Sequence, residues 1–162
     1  MNDLMLLNAV YSREDGCYRY LSEVEEGYVL IDIDESNAMP KLVTFEQIDE
    51  EERKEKIFEV EDPWLSSVQR NFSQNHSYIK MRNDNFNLIK DIVTHPGFYR
   101  ANIRGAITQI LVDKGIAAKS TLYRYARRYW QRGQNINALL PDYAKCGIKI
   151  DTENSPDGRA NR

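Results

Sequence analysis

Hydrophobic and polar positions in the first sixty residues alternate over short segments, which is the pattern of β-strands. Residues 28–34 alternate with a period of two, so their side chains divide between the two faces of a strand: Val29, Ile31 and Ile33 on one, and Tyr28, Leu30 and Asp32 on the other. Similar segments, separated by polar turns, lie at 4–12, 17–24, 41–45 and 57–61. A solvated helix is predicted at 45–56. Short antiparallel strands this closely spaced predict a small barrel or a highly curved sheet.

After residue 83 the apolar positions recur with helical spacing. The stripe of residues 83–95 consists of Phe86, Ile89, Ile92 and Val93, and that of residues 99–115 consists of Ile103, Ile107, Ile110 and Leu111. Asn83 or Asp84 is the predicted N-cap of the first helix, and Gly115 ends the second. A third helix is predicted at 118–132. Three short helices joined by tight turns have the spacing of a helix-turn-helix.

The two patterns together predict an α+β chain. A small N-terminal antiparallel β-barrel-like domain occupies 1–61, and a three-helix helix-turn-helix domain occupies 83–145. Residues 62–82 are polar and are predicted to connect the two. Residues 146–162 contain almost no apolar side chains and are predicted to be a linker or a disordered tail.

Charge is divided between the two halves of the chain. Residues 1–61 contain 17 acidic and 6 basic residues, a net charge of −11, whereas residues 62–162 contain 8 acidic and 16 basic residues, a net charge of +8. The whole chain has a net charge of only −3. A basic second half is suited to a polyanion such as DNA, and an acidic first half is suited to a protein partner or an intramolecular contact.

The third predicted helix concentrates basic and aromatic residues. Its predicted inward stripe consists of Leu122, Tyr125, Ala126 and Tyr129, and its outward residues are Ser120, Thr121, Tyr123, Arg124, Arg127 and Arg128. No acidic residue lies between Asp113 and Asp142, while six basic residues do. Ala118 occupies the N-cap position, where Ser or Thr is preferred. These features predict a recognition helix.

Roles within this helix follow from the geometry of helix-turn-helix proteins, whose second helix presents its N-terminal residues to base edges. Ser120, Thr121 and Arg124 are predicted to contact bases, because arginine can donate two hydrogen bonds to guanine. Tyr123 is predicted to contact a thymine methyl group or a phosphate. The remaining arginines, further along, are predicted to neutralise phosphates, which adds affinity without sequence information: Arg127, Arg128 and Arg132.

Several other classes of protein find no support in the sequence. No apolar run approaches the roughly 20 residues of a membrane span, and the N-terminus lacks a secretory signal pattern, so a cytoplasmic location is expected. Cys17 and Cys146 lie far apart and are expected to be reduced thiols. His76 and His95 form no zinc pattern. No nucleophile–base pair or phosphate-binding loop indicates a hydrolase or a kinase.

The segment "TLYRYARRYWQRGQNINALLPDY", with "GIAAK" before it, resembles the region near the N-terminus of TnsB-type transposases, which belong to the DDE transposase and integrase superfamily and are related to the Mu transposase. The portion "RRYWQRGQ…NALLPDY" carries the specific match. The resemblance covers residues 80–145 well and is only general over residues 1–61, where that family also begins with a β-rich domain. With the resemblance included, the predicted DNA-binding residues are Lys119, Ser120, Thr121, Tyr123, Arg124, Arg127, Arg128, Gln131, Arg132 and Gln134.

The resemblance implies sequence-specific binding of double-stranded DNA at transposon ends. In the parent protein an RNase H-like core with three carboxylates and magnesium would then join the 3′ ends to target DNA. Too few residues follow 145 for such a core, so this chain is expected to be an N-terminal fragment that is not an enzyme and needs no cofactor. TnsA- and TnsC-like transposition proteins are further implied partners, and the bacterial nucleoid is the implied location when DNA is bound.

Two alternatives remain open from the residues alone. A free-standing helix-turn-helix transcriptional regulator would be a dimer on a palindromic site. A protein-interaction module would instead use the acidic β domain to contact a partner, with the basic half contributing only solubility.

Overall fold

The computed structural model of the chain describes residues 5–69 and 76–141. Its N-terminal part is a five-stranded antiparallel sheet, ordered β4-β3-β2-β1-β5. The strands are β1 (Val10–Arg13), β2 (Gly16–Val24), β3 (Gly27–Asp32), β4 (Lys41–Thr44) and β5 (Phe58–Val60). β4 and β5 form the two edges, so the sheet is open and the predicted barrel is not closed. We refer to residues 5–63 as the sheet domain.

Helix α1 (Phe45–Arg53) carries the chain from one edge of the sheet to the other. It begins with a capping box, in which the side chain of Thr44 accepts from the backbone N–H of Gln47 and the side chain of Gln47 accepts from the backbone N–H of Thr44. Ile48 is fully buried, while most other side chains of this helix are polar. The solvated helix predicted at 45–56 is therefore confirmed, three residues shorter than expected.

Four further helices follow the sheet. They are α2 (Leu65–Val68), α3 (His76–Val93), α4 (Ala101–Asp113) and α5 (Lys119–Gln131), and a short 3₁₀ helix (Ile136–Leu139) comes after them. The last three α-helices and the 3₁₀ helix pack on one another, and we refer to residues 76–141 as the helical part. The chain is therefore α+β, as predicted. Within the described ranges no helix has the length and apolar character needed to cross a membrane.

Both faces of the sheet are buried, each in a different hydrophobic cluster. Tyr28 and Leu30 pack with Ile48 of α1 in the first cluster. Val29 and Ile31, on the opposite face, pack with side chains from α3, α4 and α5 in the second cluster. The alternation predicted for this strand is confirmed. The same strand thus belongs to two cores, one within the sheet domain and one shared with the helical part.

The first strand and the first long helix differ from their predicted bounds. β1 begins at Val10 instead of residue 4, because Asn8 adopts a left-handed conformation (φ 68°) that interrupts an extended chain. α3 includes His76 and the residues after it, so Asn83 and Asp84 lie inside the helix and the predicted N-cap there is wrong. Contacts with the 3₁₀ segment hold the earlier turns: Arg82 Nη1 donates to Asn137 Oδ1 (2.8 Å).

The stripes predicted for α4 and α5 are right in part. In α4, Leu111 is buried and Ile110 is 53% exposed, while Arg104 and Thr108 are buried beside Leu111. Ile110 was therefore wrongly placed in the stripe. In α5 the fully buried residues are Leu122, Ala126 and Trp130, and the predicted stripe residues Tyr125 and Tyr129 are half-buried. The sequence prediction missed Trp130. The predicted tail at 146–162, Asp142, Tyr143 and Cys146 lie outside the described residues.

Candidate nucleic-acid interface

Helix α5 is anchored along one side by buried residues one turn apart. Leu122, Ala126 and Trp130 all have zero exposure, and the ring of Trp130 stacks on that of Phe98 with 5.5 Å between centroids. Gly115 precedes the helix in the left-handed region (φ 74°), which permits the tight turn between α4 and α5. The opposite side of α5 is left for other contacts.

The N-terminal half of α5 is open to solvent. Lys119, Ser120 and Arg124 are exposed, and Thr121 is half-buried. The guanidinium of Arg124 lies 4.9 Å from the ring centroid of Tyr125, and the ammonium of Lys119 lies 5.6 Å from that of Tyr123. These four predicted site residues lie together on the first two turns of the helix.

Tyr123 connects α5 to α4. It is half-buried and accepts a hydrogen bond from Arg104, whose Nη1 also donates to the carbonyl of Phe98 (3.0 Å). Burial lowers the pKa of the Arg104 guanidinium, and the contact with Tyr123 opposes that shift. The structure thus gives Tyr123 a position between the two helices, in addition to the DNA contact predicted for it.

Arg127 and Arg128 occupy the middle of the helix and differ in their surroundings. Arg127 Nε donates to the carbonyl of Ala38 in the β3–β4 connection (2.9 Å), and burial lowers the pKa of its guanidinium. Arg128 is half-buried, and its guanidinium lies 6.0 Å from the ring centroid of Tyr125. The structure therefore directs Arg127 to the sheet domain, whereas Arg128 lies beside the same ring as Arg124.

Three more predicted site residues lie at the C-terminal end of α5, and two of them, Gln131 and Gln134, donate hydrogen bonds to the sheet domain. Gln131 Nε2 donates to the carbonyls of Asp32 and Glu35, each at 2.9 Å. Gln134 Nε2 donates to Asn8 Oδ1 (2.8 Å) and to the carbonyl of Leu21 (3.0 Å). The guanidinium of Arg132 lies 4.0 Å above the ring of Trp64.

We refer to the contacts of Arg127, Gln131, Arg132 and Gln134 as the junction. The sequence prediction missed Arg19, the charged residue at its centre. Its side chain has zero exposure and forms a bidentate ion pair with Asp62 (2.7 and 2.9 Å). Its Nε donates to the carbonyl of Gln131 (3.1 Å) and its Nη1 to that of Asn8 (2.6 Å). The available signal was the strand alternation, which places Arg19 on the same face as the buried Leu21.

The surroundings of Arg19 favour the charged form of the Asp62 carboxylate. Burial raises the pKa of Asp62, but hydrogen bonds from Arg19 and from the backbone N–H of Trp64 outweigh this and leave the pKa below its usual range. The carbonyl of Gln131 lies at the negative end of the α5 dipole, which favours a cation there. In the described parts of the chain, no group of three or more His, Cys, Asp or Glu residues could hold a metal ion.

An open antiparallel sheet packed on a helical part that contains a basic helix makes the chain a two-part α+β protein. Comparison with protein families identifies the family: residues 4–63 match the TnsB N-terminal SH3-like domain, and residues 82–143 match the TnsB second domain. The chain belongs to the TnsB transposase family and carries its N-terminal region. The predicted resemblance is thereby confirmed, and it extends over the sheet domain as well.

One curated relative is the transposon Tn7 transposition protein TnsB of Escherichia coli. It is 27% identical over 146 residues, which cover 87% of this chain and 20% of the relative. The chain therefore spans about one fifth of the length of this relative.

Proposed function

We propose that this chain binds double-stranded DNA at the ends of a transposon, with α5 as the recognition helix of a helix-turn-helix. The observation that carries the proposal is the exposure of Ser120 and Arg124 on the side of the helix opposite its buried residues, with Lys119 exposed at the start of the helix. Membership of the TnsB family supports this reading over a transcriptional regulator. The predicted three-helix arrangement corresponds to α3, α4 and α5.

Base recognition is assigned to the N-terminal half of α5. Arg124 is the residue best suited to specificity, because a guanidinium can donate to two guanine acceptors in the major groove. Ser120 and Thr121 lie one turn earlier, and Lys119 precedes them at the start of the helix. Exposed residues at the N-terminus of a second helix are those that reach base edges in helix-turn-helix proteins.

The sheet domain limits where DNA can approach α5. The β3–β4 connection contacts the helix through the carbonyls of Glu35 and Ala38, and the side chains of Asp34 and Glu35 are exposed beside that contact. Carboxylates there repel phosphates. DNA contact is therefore proposed for the first two turns of α5 and for Arg128, with Arg127, Gln131, Arg132 and Gln134 acting mainly at the junction.

In the complete transposase, this binding would hold a transposon end for strand transfer by a downstream catalytic domain with magnesium. TnsA- and TnsC-like proteins are proposed as partners of that larger assembly. DNA binding by the present chain is proposed to need no cofactor. The expected result is equal affinity with EDTA and with magnesium, once the contribution of the divalent ion to ionic strength is matched.

The test is a fluorescence-anisotropy titration with the terminal sequence of the element that encodes this protein, against a scrambled duplex, at two salt concentrations. Preference for the terminal duplex supports the proposal, and a steep salt dependence indicates phosphate contacts. Equal binding of both duplexes would reduce the proposal to nonspecific binding. A lack of binding at both salt concentrations would contradict it and favour the protein-interaction module.

A further inference from the structure

Three separate segments of the chain meet at the buried guanidinium of Arg19. The residue lies on β2, its carboxylate partner Asp62 follows β5, and the carbonyl of Gln131 closes the last turn of α5. Four hydrogen bonds from one side chain with zero exposure leave little freedom in this arrangement. The planar guanidinium fits these partners in a way that an ammonium cannot reproduce.

Asp62 also connects Arg19 to Arg132, through Trp64. The Asp62 carboxylate that pairs with Arg19 also accepts from the backbone N–H of Trp64 (2.9 Å). The ring of Trp64 in turn lies under the guanidinium of Arg132, the residue after Gln131. The end of α5 is therefore held twice: Arg19 bonds the backbone carbonyl of Gln131, and Trp64 packs against the side chain of Arg132.

After α5 the chain passes beside Arg19 in a conformation that suits glycine. Gly133 has φ 118°, and a Cβ at that position would lie 3.7 Å from Arg19 Nη1. Gln134 follows with its side chain bonded to Asn8 and Leu21 of the sheet domain. The chain is consequently bonded to the sheet domain at Gln131 and Gln134, with Arg132 against Trp64 between them.

We propose that Arg19 is a positioning residue, through which the sheet domain sets the orientation of α5. The acidic domain then acts as a brace for the helix, and the helix cannot turn independently of the sheet. The brace itself rests only on the contacts above. Its effect on DNA binding rests on the proposed function, since a helix held in one orientation meets a base edge without an ordering cost at each encounter.

Hydrogen exchange followed by mass spectrometry tests the brace without DNA. In Arg19→Lys the charge remains but the guanidinium geometry is lost, and we expect peptides covering 127–134 to exchange about tenfold faster while peptides covering 101–113 are unchanged. Gln131→Ala, which keeps helix propensity and removes two contacts to the sheet, is expected to accelerate the same peptides by a smaller factor.

The matched control is Ile48→Val, which loosens the cluster between α1 and the sheet without touching α5. It is expected to leave exchange at 127–134 as in the wild type. Exchange at 127–134 that is unchanged in Arg19→Lys, or that rises equally in all helices, would overturn the brace. Arg19→Lys is the gentlest change at this position. If Arg19→Lys does not fold, Asp62→Asn, which removes the charged partner of Arg19, decides the question from the same peptides.

A DNA titration of the same variants separates the brace from the proposed function. We expect the preference for the terminal over the scrambled duplex to fall about tenfold in Arg19→Lys and to be kept in Ile48→Val. Wild-type preference in Arg19→Lys, despite faster exchange, would overturn the link from brace to recognition. If the wild type binds neither duplex, the proposed function fails, and the exchange measurement still decides whether the brace exists.

Discussion

The two halves of α5 have similar charge but different surroundings. In the N-terminal half Lys119 and Arg124 are exposed to solvent, whereas Arg127 in the C-terminal half donates to the sheet domain, and Arg132, just after the helix, lies over the ring of Trp64. A basic helix is therefore not a uniform surface for a polyanion. The tertiary contacts of each arginine, and not its charge, determine which part of the helix is open for the proposed contact with DNA.

The largest expected effect comes from the core residue that anchors the C-terminal half. Trp130→Ala removes a fully buried indole stacked on Phe98, and we expect a loss of about 4 kcal/mol in the free energy of unfolding, measured by chemical denaturation.

Two variants serve as controls for this loss. Trp130→Phe is expected to cost less than half as much, because it keeps a ring, and within the described residues the indole Nε1 has no hydrogen-bond partner to lose. Ile110→Ala, at a site that is 53% exposed, should change the stability by less than about 0.5 kcal/mol. Similar costs for Trp130→Ala and Ile110→Ala would contradict the assignment of Trp130 as an anchor.

The second effect concerns pH and the junction. The pKa of Asp62 is lower in the folded protein than its ordinary value of 3.8, so its ion pair stabilises the fold fully above about pH 4 and loses this contribution as the pH falls through the folded pKa. Asp62→Asn leaves Arg19 buried without its counter-ion and should cost about 3 kcal/mol at pH 7.

Unfolding titrations at pH 7 and at pH 3 would check this prediction. The difference in stability between wild type and Asp62→Asn should narrow at pH 3, because below 3.8 the unfolded chain takes up a proton at Asp62 and the contribution of the pair to stability falls. Glu50→Gln on α1 is the matched control, since Glu50 also has a lowered pKa from Lys54 and Arg53 but lies exposed in the solvated helix. A difference that stays constant with pH would refute the pair's role.

The third prediction compares one arginine from each half of α5. Arg124→Ala should weaken binding to the terminal duplex by about 2 kcal/mol with little change for a scrambled duplex, because a base contact is lost. Arg127→Ala should instead cost about 1 kcal/mol of stability through loss of its bond to Ala38. Fluorescence anisotropy measures the DNA affinity of both variants, and thermal denaturation measures their stability. Arg53→Ala, at an exposed position on α1, is the control. Identical profiles would remove the distinction between the halves.

The smallest effect sharpens the N-terminal half. Ala118 is the N-cap of α5, with extended backbone (φ −72°, ψ 153°) and no capping side chain. Ala118→Ser supplies an acceptor for an N–H in the first turn and should raise stability by about 1 kcal/mol. Thermal denaturation measures the gain, and Ala101→Ser, inside the first turn of α4, is the comparison that should show none.

Local pattern was enough for most elements. The alternation of residues 28–34 predicted both buried faces of β3, since a strand's period is set by the backbone alone. The bounds of α5 were predicted within one residue, at 118–132 against Lys119–Gln131. α3 includes residues before its predicted start at 83, and one of them, Arg82, is held by a contact with Asn137, which lies far along the chain.

The sequence predicted a set of candidate site residues, but not which of them contact the sheet domain. Ser120, Thr121 and Arg124 lie on the side of α5 away from its buried residues, as the sequence predicted, and Lys119 is exposed at the start of the helix. Gln131 and Gln134 also stood among the predicted DNA contacts, and their side chains donate to the sheet domain. A polar side chain has the same sequence signature whether its acceptor is a base, a phosphate or a distant carbonyl.

The sequence by itself determined the α+β class, the order along the chain of the strands and of the helices α1, α3, α4 and α5, the position of the basic helix and the family. These depend on local periodicity, turn chemistry and a motif, all of which can be seen within a short window. Only the tertiary structure decided that the acidic and basic halves share a hydrophobic cluster, and that Arg19 joins them. Such contacts connect residues more than one hundred positions apart, and their energies depend on burial, which no local pattern contains.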